Sequence, residues 1–259
     1  MNILFIGDVV GEPGRRAVCG IVPKIKKRER IDFVIANAEN IAGGSGITPV
    51  LADELLNSCV DCLTSGDHVY KRKEILDRLA SDKRILRPAN YPREAAGSGS
   101  TVIETPVGYK IGVVNIIGRV FMQPVECPFH VAKAEVERIK PKTNIIIVDV
   151  HAEATSEKIA LGWYLDGTVS AIVGTHTHIQ TADEKILPNG TAYITDVGMA
   201  GPYNSVIGRN KEAVLSKFLT HMPTKFDTAT EDAQLHGVII DIDEKTGRAN
   251  SIRRLQEKV

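Results

Sequence analysis

The chain has 259 residues, 43% of them hydrophobic, and its 32 Lys and Arg balance 32 Asp and Glu to a formal net charge of zero. This is ordinary globular composition without the basic excess of a dedicated nucleic-acid binder, so no stable nucleic-acid binding is expected. No apolar run reaches the length of a membrane span and no leader pattern opens the chain, so a cytoplasmic protein with no membrane partner is expected. Four cysteines (Cys19, Cys59, Cys62 and Cys127) make no disulfide framework. Cys59-Val60-Asp61-Cys62 runs from a helix end into a strand, whereas redox pairs of that spacing open a helix.

Residues 2–7 form a compact apolar strand ending in Gly7-Asp8-Val9-Val10-Gly11. Asp8 therefore stands at a strand's carboxyl end, where α/β sheets keep their chemistry; capping the next helix is the structural use of the same group. Residues 15–30 read as a helix with a solvated basic face. A second apolar stretch, 33–36, ends in Asn37-Ala38-Glu39-Asn40 and a glycine-rich loop, after which Thr48-Pro49 starts a helix. A third strand ends at Gly66 with Asp67-His68 at its tip.

Residues 71–81 read as a short helix, and 84–92 as a strand broken by its prolines. Segments 100–104 and 110–117, joined near Gly108, read as an antiparallel hairpin, so a second, mixed sheet is expected. A proline-bearing loop at 121–129 has the length of a lid, and 130–140 is helical. The strand 144–148 leads into Asp149-Val150-His151-Ala152-Glu153, and a helix over 156–164 precedes the strand 171–173. That strand opens into Gly174-Thr175-His176-Thr177-His178, whose two histidines share a side if the chain stays extended. Thr175 and Thr177 then face backbone partners on the other side. Residues 192–198 form a further strand, 198–208 a flexible loop, and 237–243 with 249–255 an antiparallel pair. No repeat or linker divides the chain, so one domain over 1–259 is expected.

The polar strand ends are Asp8, Glu39, Asn40, Asp67, His68, His151, His176 and His178. Carboxylates, imidazoles and an amide make an oxygen/nitrogen set suited to Mn, Fe, Co or Zn, and the absence of thiolate argues against a structural zinc site. There are more donors than one ion needs; two ions sharing a carboxylate would clamp a phosphoryl group and activate water. His130, His221 and His236 lack motif company and read as surface or structural. Asp149 reads as a supporting or capping acid, and Asn90 and Arg119 as weaker candidates for phosphate or base contact.

The ordered series G-D-V-V-G, A-E-N, G-D-H, H-A-E and G-T-H-T-H resembles the calcineurin-like metallophosphoesterase superfamily. More narrowly it resembles the YmdB-like 2′,3′-cyclic-nucleotide 2′-phosphodiesterases. Arg87-Pro88-Ala89-Asn90, the run from His151 to Lys158, Leu161-Gly162-Trp163-Tyr164 and the run from Tyr193 to Met199 support the narrower match along essentially the whole chain. The resemblance implies a four-layer α/β/β/α sandwich of two mixed sheets. It implies two metal ions, Fe or Mn first and Zn or Co after them. One ion would take Asp8, Glu39, Asn40 and His178; the other would take Glu39, Asp67, His151 and His176, with Glu39 bridging. His68 would be the catalytic residue, as leaving-group acid or transition-state stabiliser. Val10 stands where the wider superfamily has a ligating histidine, and Asn40 replaces it.

Asp67 stands where the family has asparagine, which makes the donor set one unit more negative. The implied reaction is in-line attack of metal-activated hydroxide on a 2′,3′-cyclic nucleotide, giving a 3′-nucleotide. A phosphomonoesterase or nucleotidase on the same site, or a nucleotide-sensing regulator with incidental turnover, are the alternatives. No further cofactor is implied, and self-association into a homo-oligomer is expected.

Overall fold

The computed structural model describes residues 1–259. Its first sheet contains β1 (Asn2–Val10), β2 (Ile31–Asn40), β3 (Cys62–Thr64), β10 (Met199–Pro202), β11 (Ala233–Ile242) and β12 (Ala249–Lys258), in the order β12-β11-β10-β1-β2-β3. The second contains β4 (Ser100–Glu104), β5 (Lys110–Ile117), β6 (Ile145–His151), β7 (Ala171–Thr175), β8 (Lys185–Ile186) and β9 (Ala192–Ile194), in the order β4-β5-β6-β7-β9-β8. Each sheet has a parallel centre; the second is flanked by antiparallel strands at both edges, the first only at its β11-β12 edge, since β3 runs parallel to β2.

Both faces of the central strands are buried, and the side-chain period of two divides them between separate cores. On β1, Ile3 and Phe5 meet Ile111, Val113, Ile145 and Ile147 of the second sheet, forming the core between the sheets. Leu4 and Ile6 face the other way, against α1 (Gly11–Arg28) and α2 (Pro49–Leu56). Val114, Ile116, Ile146 and Val148 pack under α4 (Pro128–Ile139) and α5 (Thr155–Leu165). The result is the expected four-layer α/β/β/α sandwich.

Several segments differ from their sequence reading. β1 and β2 extend through Asp8 and Asn40, so these polar residues are strand rather than loop. The first helix starts at Gly11 without a connecting loop, because Gly11 turns the chain at φ 59° and Pro13 suits a first turn. Residues 84–92 form only isolated bridges. The segment 73–81 is a 3₁₀ turn, Lys73–Ile75, followed by α3 (Leu76–Ser81). The expected loop after Gly198 instead contains β10, paired in parallel with β1 through Asp8 and Met199, followed by α6 (Lys211–Thr220). β10 reads Met-Ala-Gly-Pro, which carries no alternation and ends in the residue least suited to a ladder, so only its neighbours make it a strand.

The chain crosses from β9 in one sheet to β10 in the other through residues 195–198. Crossing there requires close backbone approach at Gly174, where an added Cβ would lie 1.7 Å from the Thr195 carbonyl oxygen. Gly174→Ala is therefore expected to destabilise the protein by about 3 kcal/mol or more, read from the denaturant midpoint of unfolding.

Candidate metal centre

The polar strand ends meet where the carboxyl edges of the two sheets face each other. The first sheet contributes Asp8 from β1, Glu39 and Asn40 from β2, and Asp67 and His68 from the turn after β3. The second contributes His151 from the end of β6, and His176 and His178 after β7. Ligand atoms of Glu39, Asp67, His151 and His176 all lie within 4.8 Å of one another. Asp8, Asn40 and His178 sit alongside: His178 Nε2 is 3.8 Å from Asp8 Oδ1 and 3.4 Å from Asn40 Nδ2. Every residue singled out for the site is thus in one neighbourhood.

The histidine pair does not achieve this in extended chain. β7 ends at Thr175, and His176 and His178 are both left-handed, at φ 97° and 64°. Such backbone costs of order 1–3 kcal/mol per residue and persists only where its surroundings hold it. Lys158, completely buried on α5, donates to the Thr175 carbonyl at 2.6 Å and pairs with buried Asp196 at 2.8 Å. Asp196 in turn accepts from the Thr177 amide and hydroxyl and from the Gly198 amide. Thr175 and Thr177 therefore spend their hydroxyls on side chains rather than on backbone partners. Lys158 was the legible half of this brace: with Leu161, Gly162 and Leu165 it occupies the helix spacing i, i+3, i+4, i+7 that α5 buries.

Each imidazole has its outer nitrogen engaged. His178 Nδ1 donates to the Ile207 carbonyl at 2.9 Å. Thr175 gives its hydroxyl proton to Asp149 at 2.8 Å and so accepts from His151 Nδ1 at 2.9 Å. His176 Nε2 is 3.1 Å from Glu153. The inner nitrogens of His151 and His176 then face each other at 3.0 Å. Two lone pairs in contact repel unless a cation lies between them. In the metal-free protein a proton on His151 serves: burial disfavours it, but Glu39, Asp67 and Asp8 outweigh burial and raise the His151 pKa well above its usual value. Burial likewise raises the Glu39 carboxyl, yet the charges and hydrogen bonds of His151 and His68 hold it well below the carboxylate range.

These residues fit a metal. Asp8 Oδ1 is fully buried without a hydrogen-bond partner. Gly66 leaves a cradle that a Cβ would fill, at 2.1 Å from the His151 ring and 2.4 Å from Glu39 Oε2. The fixed outer nitrogens orient the inner ones as second partners of metal-bound histidines do. Asn40 is the exception in orientation: its oxygen meets His68 Nδ1 at 2.7 Å and its nitrogen faces Glu39 and His178. Coordination by Asn40 requires that amide to present its oxygen instead.

The remaining candidates divide clearly. Asp149 touches Thr64, Thr175 and Asn37 and supports His151 through Thr175. Asn90, raised as a phosphate or base contact, is buried, and its amide is consumed by Ile117 and the Glu126 carbonyl, so it fastens the loop over 118–127. Glu157 holds the same loop through the Arg119 and Val120 amides, which leaves the expected lid pinned at both ends. His130 is exposed, His221 ends α6 in left-handed backbone, and His236 is buried against Tyr203, where burial lowers its pKa to about 4. Cys62 is buried in β3 while Cys59 is exposed.

Burial pushes Asp149 up to about 6, against the charge of His151 and the hydroxyls of Thr64 and Thr175. The folded protein holds this proton more tightly than the unfolded chain does, so the contribution to stability is complete below about pH 4 and is lost as pH rises through about 6. Relative to Asp149→Asn, the metal-free protein should lose about 3 kcal/mol between pH 4 and pH 7, measured by denaturant unfolding across that range.

A 2′,3′-cyclic-nucleotide 2′-phosphodiesterase of Bacillus subtilis is 47% identical over 98% of this chain and 96% of its own. A putative phosphatase/phosphodiesterase of Mycoplasma genitalium is 35% identical over 99% and 92%. A hypothetical protein from Thermus thermophilus superposes with a TM-score of 0.93 at 42% identity, covering 100% and 99% of the two chains. A Mycoplasma pneumoniae structure described as a novel phosphatase gives 0.93 at 35% identity, over 100% and 93%. The calcineurin-like phosphoesterase YfkN from Bacillus subtilis, at TM-score 0.58 and 11% identity over 100% and 90%, shares the fold alone. The family model described as YmdB-like protein matches residues 4–255, and the chain belongs to that family.

Proposed function

We propose that the protein is a dinuclear-metal phosphodiesterase that opens 2′,3′-cyclic nucleotides at the 2′ ester and releases 3′-nucleotides. The observation that carries this is the meeting of Glu39, Asp67, His151 and His176 beside the unpartnered Asp8 oxygen. The name of the 47% identical relative supplies the substrate class. Asp8, Glu39, Asn40 and His178 would hold one ion and Glu39, Asp67, His151 and His176 the other. Two such ions, when bound, supply Lewis acidity at phosphorus and a nucleophile at neutral pH. The mixed carboxylate and imidazole donors favour Fe or Mn, with Zn or Co as substitutes.

His68 is the acid. Its hydrogen bond to Glu39 raises its pKa above the usual histidine value, against burial, so it carries the proton that a leaving 2′ oxygen needs. Its backbone amide donates to Glu39 at 3.1 Å and fixes its place. Asp67 adds a negative charge where the family has an amide, which strengthens cation binding and weakens the pull on the phosphoryl oxygens.

Both sheets supply donors, so the 259 residues work as one domain. No helix is long and apolar enough to cross a membrane, and four free cysteines suit a reducing compartment, in keeping with a cytoplasmic enzyme. Leu215, Phe218, Leu219 and Met222 on and after α6 are all more than half exposed, which supports self-association. Light scattering should give a multiple of 28.2 kDa. Leu219→Glu should lower it, and a monomer at working concentration removes this part of the proposal.

Elemental analysis of protein purified without chelator, together with 2′,3′-cyclic AMP hydrolysis, tests the function. Two ions per chain and metal-dependent release of 3′-AMP are expected. His68→Gln should lower kcat about 10²- to 10⁴-fold with metal content retained. Asp67→Asn should change metal content or turnover, and no change in either removes Asp67 from the donor set. Metal-replete protein that cleaves only phosphomonoesters points to the phosphatase reading, in keeping with the description of the Mycoplasma pneumoniae structure as a novel phosphatase. Tight nucleotide binding with negligible turnover points to a sensor.

A further inference from the structure

The zero net charge hides a local segregation of charge. A cavity of about 840 Å³ lies along β4, the outer strand of the second sheet, between the end of α3 and the end of α4. Its charged lining residues are Lys83, Lys110, Arg138 and Lys142, with no carboxylate among them. Only Arg138 has a carboxylate partner, Glu135 at 2.7 Å. Unpaired cations gathered in one cleft repel each other and do nothing for the fold; their complement is a polyanion.

A second cavity of about 530 Å³ continues the first, and the two share Gly97, Ser98 and Arg138. Here Arg87 and Arg93 share the lining with Glu126 and Glu135, so unbalanced positive charge is concentrated at the far end. The near end reaches Tyr91, whose ring packs on Tyr70 with centroids 5.8 Å apart, and Tyr70 follows His68 by two residues. Asn90, next to Tyr91 in the chain, is hydrogen-bonded to Ile117, and Ile117 pairs in register with His151, which places Tyr91 at the level of the metal centre. The groove therefore runs from the centre down the sheet edge. Lys110 to Ile117 of β5 measures the distance: roughly 23 Å at 3.3 Å per residue, far longer than a mononucleotide. Cations at that distance serve a chain. An open cationic groove ending in aromatic rings is how single-stranded nucleic acid is held, the backbone on the cations and a base on a ring.

We propose that this groove carries the ribose-phosphate backbone of a single-stranded RNA, so that the enzyme's substrates include RNA ends closed as 2′,3′-cyclic phosphates. This rests on the phosphodiesterase reading above. Water adds to phosphorus, the bond from phosphorus to O2′ breaks, O2′ takes a proton, and the RNA keeps a 3′-phosphate. The metal centre reads the cyclic end, Tyr91 lies beside the last nucleotides, and Lys83, Lys110 and Lys142 hold the chain behind them.

The test compares metal-loaded wild type with the double variant Lys83→Glu, Lys142→Glu on 2′,3′-cyclic AMP and on a short RNA ending in a 2′,3′-cyclic phosphate. Both residues are exposed and distant from the centre, so unchanged cyclic AMP turnover also reports correct folding. The RNA should be the better substrate, and the variant should lose about tenfold or more in kcat/KM on RNA alone. Wild-type RNA affinity should fall with salt at a log–log slope of about −2, as three phosphate contacts require. RNA turnover no better than that of cyclic AMP, or untouched by the charge reversals, overturns the groove and leaves the phosphodiesterase standing. Metal-loaded protein that cleaves neither substrate overturns both.

Discussion

Buried carboxylates in contact with one another need positive charge, and much of this structure is arranged around that need. Asp8 and Glu39 are almost completely buried at the ends of adjacent parallel strands, and Asp67 stands half-buried beside them. Desolvated charges of like sign are expensive unless a cation satisfies them. The protein brings three imidazoles to the same point, yet turns each by its outer nitrogen so that a bare inner nitrogen faces the carboxylates. Without metal, a proton on His151 is a partial remedy. The donor geometry asks for more charge than one proton carries.

Holding those imidazoles in place falls to a second buried charge pair. Lys158 and Asp196 never touch the centre. Between them they bond Thr175 and Thr177, which flank the left-handed His176 and lead into His178, and they also hold the Gly198 amide. A buried ion pair is weak support for stability in general but costly to break from one side. Here its geometry makes sense as the constraint on a strained loop. The loop stays in a conformation that its own backbone preferences oppose, and the histidines inherit its rigidity.

Much of this was legible in the sequence, for a physical reason. A buried parallel strand is a continuous apolar run, and the first polar residues after it mark the carboxyl edge where the chemistry sits. That pattern alone located Asp8, Glu39, Asp67, His151 and His176. It did not reveal the path of the chain between His176 and His178, because left-handed backbone at histidine is imposed by distant partners. Nor did it reveal β10, whose Met-Ala-Gly-Pro becomes a strand only because β1 offers an unpaired edge at Asp8. Nor is the role of Asn90 legible, because an amide consumed by backbone looks the same in sequence as one that is free. Charge gathered in the cleft along β4 was invisible for a simpler reason. Its cations are scattered from Lys83 to Lys142 and converge only in three dimensions.

The donors come in equal measure from both sides of the molecule: Glu39 and Asp67 belong to one sheet, His151 and His176 to the other. An ion coordinated by all four would be a rivet through the seam between the sheets. Its binding free energy would then add to the cohesion of the fold, by about 2.7 kcal/mol at a hundredfold excess over the dissociation constant. A cell short of the metal would hold not only a silent enzyme but a softer one, with its two halves freer to part and more open to proteolysis. The abundance of the protein would then follow the supply of its metal without any dedicated regulator.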